Sequence, residues 1–282
     1  MINIIELLGI TYKEDIISNL LIALINESQN FRKGFFSRLM DIDNIEEYSV
    51  NAQARIGTSV GIPDIIITAD KEADSFLIII ENKLKAEEGT NQTLRYSEET
   101  CIRDMLANPR IIIKNHRPQL KFFYLTLIPE QMPTGESFVN ITYKDLVEAS
   151  DWIIEDAMLD RIYSDFLILL KDFYRNLEVK EEDKLIELLH EDIDPEKMFI
   201  RFRNIVRGIE LPEDFREFDV KKLAGRGRNS FIIQISKKGW RGDGRIFIKD
   251  NMKHIEKDCY DIHFEGYFEH TNKKLALPLH YE

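Results

Sequence analysis

The chain has little of what disulfide or soft-metal chemistry requires. Its 282 residues include two cysteines, Cys101 and Cys259, far apart and in no metal-ligand spacing. That excludes a disulfide framework and makes a thiolate zinc site a poor expectation. The six histidines are scattered and form no H-x-x-x-H pair. No apolar run approaches the roughly 18 residues of a membrane span. The opening segment MINIIELLGITYKED has neither a basic start nor a small-residue cleavage site, so no signal peptide is read from it. Internal repeats and low-complexity tracts are absent as well. These absences point to a cytoplasmic chain with reduced thiols and no membrane contact. Its hydrophobic content of 44% is ample for a packed core.

Positive charge is also scarce, and unevenly spread. The net charge is −12, which argues against a general coat for nucleic acid, whose affinity comes largely from phosphate neutralisation. Yet residues 221–249 hold nine basic residues and a single acid, Asp243, a local balance of +8. Lys221, Lys222, Arg226, Arg228, Lys237, Lys238, Arg241 and Arg245 are therefore candidate phosphate contacts. Charges that protect the edge of a small β-structure fit the same pattern.

The densest chemistry lies in residues 61–96. IIIT (65–68) and FLIII (76–80) are short apolar runs of the kind that form strands covered on both faces. The polar segment 69–75 reads as their connector. An antiparallel hairpin centred between Glu72 and Ala73 sets Asp64 opposite Glu81, close enough for both carboxylates to reach one cation. Glu81 and Lys83 then share a face, while Asn82 points away and leaves its backbone carbonyl available. A one-residue slip would destroy this arrangement. An ordinary salt bridge at the end of a hairpin fits the spacing too. Gln92 and Tyr96 lie one helical turn apart, a pattern that equally suits a plain helix face. Glu14 begins an amphipathic segment, where a carboxylate is favoured by the helix dipole alone.

Taken in order, these residues resemble the signature of the PD-(D/E)XK nuclease superfamily. Pro63-Asp64, a hairpin's length of apolar chain and Glu81-Asn82-Lys83 are similar to its core motif. Gln92 and Tyr96 resemble the Q-x-x-x-Y element that follows the lysine in many members, and Glu14 resembles the acid of their first helix. LKFFYLTLIP (120–129) and FVNITYKDLVEA (138–149) look like the next core strand and the helix after it, in a branch of bacterial and phage-defence nucleases. The resemblance covers about residues 1–175 and implies an α/β, restriction-endonuclease-like mixed sheet flanked by helices. It implies Mg²⁺, with Mn²⁺ able to substitute, on Asp64, Glu81 and the Asn82 carbonyl, with Glu14 joining through water or a second metal. Lys83 would hydrogen-bond or help deprotonate the attacking water, and Gln92 and Tyr96 would orient the scissile phosphate or the lysine. The expected substrate is DNA, with RNA open and a homodimer a reasonable arrangement. Restriction, phage defence or repair is the expected setting. A catalytically silent binding module, or an interaction subunit of a defence complex, stands as the alternative.

The coarse architecture follows. Helix is expected at 12–27, a mixed stretch at 31–40, strand at 46–56, one helix over 85–108, strand at 120–127 and two helices within 142–177. Segment 111–114 is either a short strand or an extended connector. Segment 177–192 reads as a charged helix. Beyond Asp194-Pro195, FIRFRNIVRGI suggests a helix, residues 230–249 a hairpin around a Gly-rich turn, and 261–270 a further strand. The domains are expected at 1–178, the catalytic core, and 179–282, a smaller α+β extension.

Overall fold

The computed structural model describes residues 2–177, apart from positions 73, 85, 87, 116 and 130, and a set of strands between residues 218 and 281. Two compact units result, Met1–Arg175 and Asn176–Glu282. The first unit opens with α1 (Ile4–Leu7), α2 (Glu14–Glu27) and α3 (Gln29–Leu39). Ser28 separates the last two, ending α2 in an extended conformation and accepting a hydrogen bond from Phe31 N to start α3. Strands β1 (Ser49–Ala54), β2 (Ile65–Lys71) and β3 (Asp74–Lys83) come next, then α4 (Gln92–Tyr96) and α5 (Glu99–Ala107). Strands β4 (Gln119–Thr126) and β5 (Val139–Thr142) and helices α6 (Tyr143–Glu148) and α7 (Ala157–Leu177) complete it.

The five strands form one mixed sheet in the order β1-β2-β3-β4-β5. The first three are antiparallel, and β3, β4 and β5 run parallel, as expected for a mixed sheet with flanking helices. The centre of β2 and β3 is almost entirely isoleucine and leucine because both faces are covered. Side chains on one face, Ile66, Leu77 and Ile79, pack with Tyr96, Cys101 and Met105 of α4 and α5. The opposite face meets α2, which contacts β1 and β3. Behind it, Phe31 of α3 makes edge contacts with Trp152 and with Tyr163 of α7. The core thus closes around β3 and buries even the polar residues Glu81, Asn82 and Lys83 at its end.

Several expectations need correction. Segment 69–75 is mostly strand, because the β2–β3 ladder runs on to Lys71↔Asp74. Its polar side chains find partners: Ser75 Oγ donates to Asp70 Oδ1 at 2.5 Å and Tyr48 to Asp74 Oδ2 at 2.5 Å. The stretch 31–40 is not mixed: it is helical to Leu39, in α3, and Met40 is the C-cap. The strand at 46–56 contracts to β1, with a 3-10 turn at Ile45–Glu47 before it. The helix expected over 85–108 is two helices, broken at Ser97-Glu98. Asn91, at φ 50°, blocks extension of α4 toward residue 85. Segment 111–114 is a connector.

The second unit contains β6 (Phe218–Ala224), β7 (Ser230–Lys237), β8 (Ile246–Lys249), β9 (Met252–Ile255), β10 (Ile262–Glu269), β11 (Lys274–Ala276) and β12 (Leu279–Tyr281). The predicted 230–249 hairpin does not form. β7 pairs with β6 and β10, whereas β8 pairs with β9. Only two residues separate Lys249 from Met252, against eight between β7 and β8, so the shorter closure has the smaller entropy cost. The strand expected at 261–270 is β10. The helices read at 177–192 and in FIRFRNIVRGI lie outside the described residues, as does the Asp194-Pro195 boundary.

Candidate active site

The hairpin register places the acids. β2 and β3 pair Ile65 with Ile80, so the next positions outward are Asp64 and Glu81, as the centre of the hairpin predicts. Asp64 is held there by its own side chain: Asn82 N donates to Asp64 Oδ2 at 2.9 Å. Its backbone carbonyl accepts from Arg55 N at 3.3 Å. Alternation along β3 sets Glu81 and Lys83 on the α4–α5 face and Asn82 on the other.

The side chain of Asn82 is fully used away from the acids. It donates to Ser18 Oγ of α2 at 2.9 Å and accepts from the Tyr143 hydroxyl of α6 at 2.8 Å. Because Lys83 O turns toward β4, accepting from Leu127 N at 2.9 Å, strand geometry turns the Asn82 carbonyl to the opposite edge, where Asp64 lies. Ser18 and Tyr143 were not singled out in the sequence. A serine one turn after Glu14, within an apolar helix face, is the signal that could have found the first. Tyr143 has no local signal.

Glu81 has 0% exposure and Lys83 7%, and their charged ends form a direct ion pair. Apart from that contact, neither carboxylate oxygen of Glu81 meets a hydrogen-bond partner. Burial, reinforced by the Asp64 charge, pushes the Glu81 carboxyl up to about 8, although Lys83 opposes the shift. Burial raises Asp64 as well, against the pull of Lys83 and the Asn82 N–H. Burial lowers Lys83, but Glu81, Asp64 and Glu14 together outweigh it and leave the ammonium above its usual range. Lys83 is therefore charged at neutral pH, and the ion pair gives way to a neutral Glu81 as pH falls below about 8.

Gln92 and Tyr96 close the same face. Tyr96 is buried, and its hydroxyl oxygen accepts from Ile62 N at 3.2 Å and from Gln92 Nε2 at 3.0 Å. Two accepted bonds fill its lone pairs and leave its proton to donate. The ring presses on Gly61, where a Cβ would lie 2.7 Å from Cε1, and Gly61 has φ 155°. Gly61→Ala is expected to destabilise the fold by about 1–3 kcal/mol through overpacking and backbone strain. Thermal unfolding checks this, and an unchanged midpoint would mean that the ring yields freely. Glu14 reaches the exit of β3, where its Oε1 accepts from Leu84 N at 3.0 Å and Ala86 N at 3.3 Å.

Asp64, Glu81, Asn82, Lys83, Glu14, Gln92 and Tyr96 thus gather around the open end of the β2–β3 hairpin. The basic candidates belong to the other unit: Lys221 and Lys222 fall on β6 and Lys237 ends β7. Arg226, Arg228, Lys238, Arg241 and Arg245 lie outside the described residues.

A divalent cation fits the first group. The donors are all oxygen, and the buried Glu81 carboxylate meets no hydrogen-bond donor beyond the Lys83 ammonium. Among the described residues no set of three or more acidic, histidine or cysteine side chains is arranged around one point. Two carboxylates and one carbonyl remain, a set that suits a hard ion retaining several waters.

No helix of the described residues is long and apolar enough to cross a membrane. Neither the curated proteins nor the solved structures give a match to the chain. The model of one family does, over residues 2–184, a span that takes in the whole mixed sheet and its helices. Members of that family are nucleases that generally use divalent metal ions. By the extent of this match, the chain belongs to the PD-(D/E)XK nuclease superfamily.

Proposed function

We propose that the protein is a Mg²⁺-dependent nuclease that hydrolyses DNA phosphodiester bonds, with restriction, phage defence or repair as its setting. The observation that carries this reading is the buried Glu81 carboxylate, set across the hairpin from Asp64 and beside a charged Lys83. A buried acid pair next to one lysine is costly to fold unless a cation is its working partner. Asp64, Glu81 and the Asn82 carbonyl would hold Mg²⁺, with Glu14 joining through water. When bound, the cation activates water and offsets the charge that develops on the phosphate.

The chain's own groups do the rest. Lys83, protonated in the metal-free protein, donates from Nζ to the attacking water or to a phosphate oxygen. Tyr96, with both lone pairs filled, donates its remaining proton toward the phosphate, and Gln92 keeps the phenol in place. Attack by the water oxygen forms a new P–O bond as the water gives up a proton to solvent, the ester P–O bond breaks, and the leaving oxygen takes up a proton. Lys221, Lys222, Arg226, Arg228, Lys237, Lys238, Arg241 and Arg245 would supply the phosphate contacts that an acidic chain otherwise lacks. Replacing Lys221, Lys222 and Lys237 by alanine should then reduce the salt slope of DNA binding by about one per lost contact.

The test is cleavage of plasmid, single-stranded DNA and RNA with Mg²⁺, after chelation, and after readdition of Mg²⁺ or Mn²⁺. Cutting of DNA that stops with chelator and returns with either metal is expected. Cutting that survives chelation would overturn the metal role. Salt-dependent binding without hydrolysis would favour a silent module instead.

A further inference from the structure

We propose that Glu88 is a positioning residue for this site: its carboxylate staples the loop bearing Thr134 to the start of α4 and so holds Gln92 and Tyr96 beside the acid pair. Helix α4 has only five residues, too few to persist without tertiary support. Its N-cap, Asn91, is left-handed and offers no side-chain bond. Glu88 supplies what is missing. Its Oε1 accepts from Thr93 N at 2.6 Å, Thr93 Oγ1 at 2.6 Å and Thr134 Oγ1 at 2.8 Å. Its Oε2 accepts from Thr134 N at 2.7 Å. These donors outweigh burial and keep the carboxyl below its usual range, so it stays ionised at the positive end of the helix.

The loop is pressed onto α4 by more than this one group. Gly135 N donates to Thr93 Oγ1 at 2.8 Å. A Cβ on Gly135 would lie 2.8 Å from the Thr93 carbonyl carbon and 2.9 Å from Leu94 N, so backbone packs directly on backbone. Gln131, 4% exposed, donates to Ala86 O at 2.9 Å and to the Tyr124 hydroxyl at 2.8 Å. The segment between Lys83 and α4 is thus gripped by the same loop at two points. From α4 the connection continues through Gln92 Nε2 to the Tyr96 hydroxyl and on to Ile62 N, two residues before Asp64. Glutamine cannot replace Glu88, because its amide nitrogen would face a backbone N–H as a second donor.

The activity arm of the test rests on the nuclease reading; the exchange arm does not. In the full chain, Glu88→Gln is expected to lower kcat for DNA cleavage about 10- to 100-fold by misplacing α4. In a Tyr96→Phe background the same change should cost less than about twofold, since residues that act through one another are not additive. Amide exchange at Ile62 should quicken in Glu88→Gln although Ile62 does not touch Glu88. Thr134→Val, which deletes one donor from an exposed side chain, should shift both readouts in the same direction and serves if Glu88→Gln fails to fold. The proposal is overturned if the full loss persists in the Tyr96→Phe background. It is equally overturned if exchange quickens only at Thr93 and Thr134 and not at Ile62. A wild-type protein that cuts nothing would defeat the nuclease reading alone, and the Ile62 exchange would still decide the staple.

Discussion

Glu81→Gln is expected to reduce Mg²⁺-dependent cleavage by about a thousandfold or more, since even outer partners of a metal ligand are worth roughly 10–100-fold. The fold should survive, because glutamine keeps the shape of the side chain and removes a carboxylate that burial disfavours. Its pH behaviour carries the sharper test. The folded Glu81 carboxyl sits at about 8 against an ordinary value of 4.5. Between those values the native state binds more protons than the unfolded state, so stability falls as pH rises. The whole decline is on the order of 5 kcal/mol, complete above about pH 8, and Asp64, also raised, adds to it in the same direction.

Glu81→Gln removes its share, so its melting temperature should gain on the wild type from pH 5 to about pH 8 and level off above it. Mg²⁺ needs the ionised form, so the wild-type affinity should rise about tenfold per pH unit below pH 8 and level off above it. Thermal scans with and without Mg²⁺ read both effects. Parallel stability curves for the two proteins would show that Glu81 is already ionised at low pH, and the electrostatic account of the site would fall.

Much of this site was legible because strand geometry is local. Two apolar runs of known spacing and a short polar segment between them set the register, and the register alone puts Asp64 opposite Glu81. What was not legible depends on distant partners. Helix α3 was obscured by Gly34, whose absent side chain makes room for Trp152, 118 positions later. Leu84 and Ala86 are helix-forming residues, yet their backbone groups are taken by distant side chains: both N–H groups donate to Glu14 and the Ala86 carbonyl accepts from Gln131. The two apolar runs of 230–249 suit a hairpin, but β7 pairs with β6 and β10 instead. Tertiary hydrogen bonds and sheet competition, not wrong periodicity, account for these differences.

Lys83→Met should be the second severe variant, and its cost should depend on pH in a way that an ordinary packing defect would not. Methionine matches the length of the stem, so the apolar contacts survive, but the donor is lost and cleavage should fall about a thousandfold, at the upper end for one electrostatic group. Lys83 is the group that holds Glu81 down. Without it, the Glu81 carboxyl rises further above 8, and Mg²⁺ binding should require correspondingly higher pH. Near pH 6 Glu81 is protonated with or without the lysine, so the stability loss is small. Near pH 9 the wild type has an ion pair where the variant must either keep a proton or bury a lone carboxylate. Breaking a buried pair in this way costs about 3–5 kcal/mol. Adding Glu81→Gln to Lys83→Met should therefore restore alkaline stability while leaving cleavage lost. An equal loss at pH 6 and pH 9, unrelieved by the second substitution, would mean that Lys83 serves packing and not the charge of Glu81.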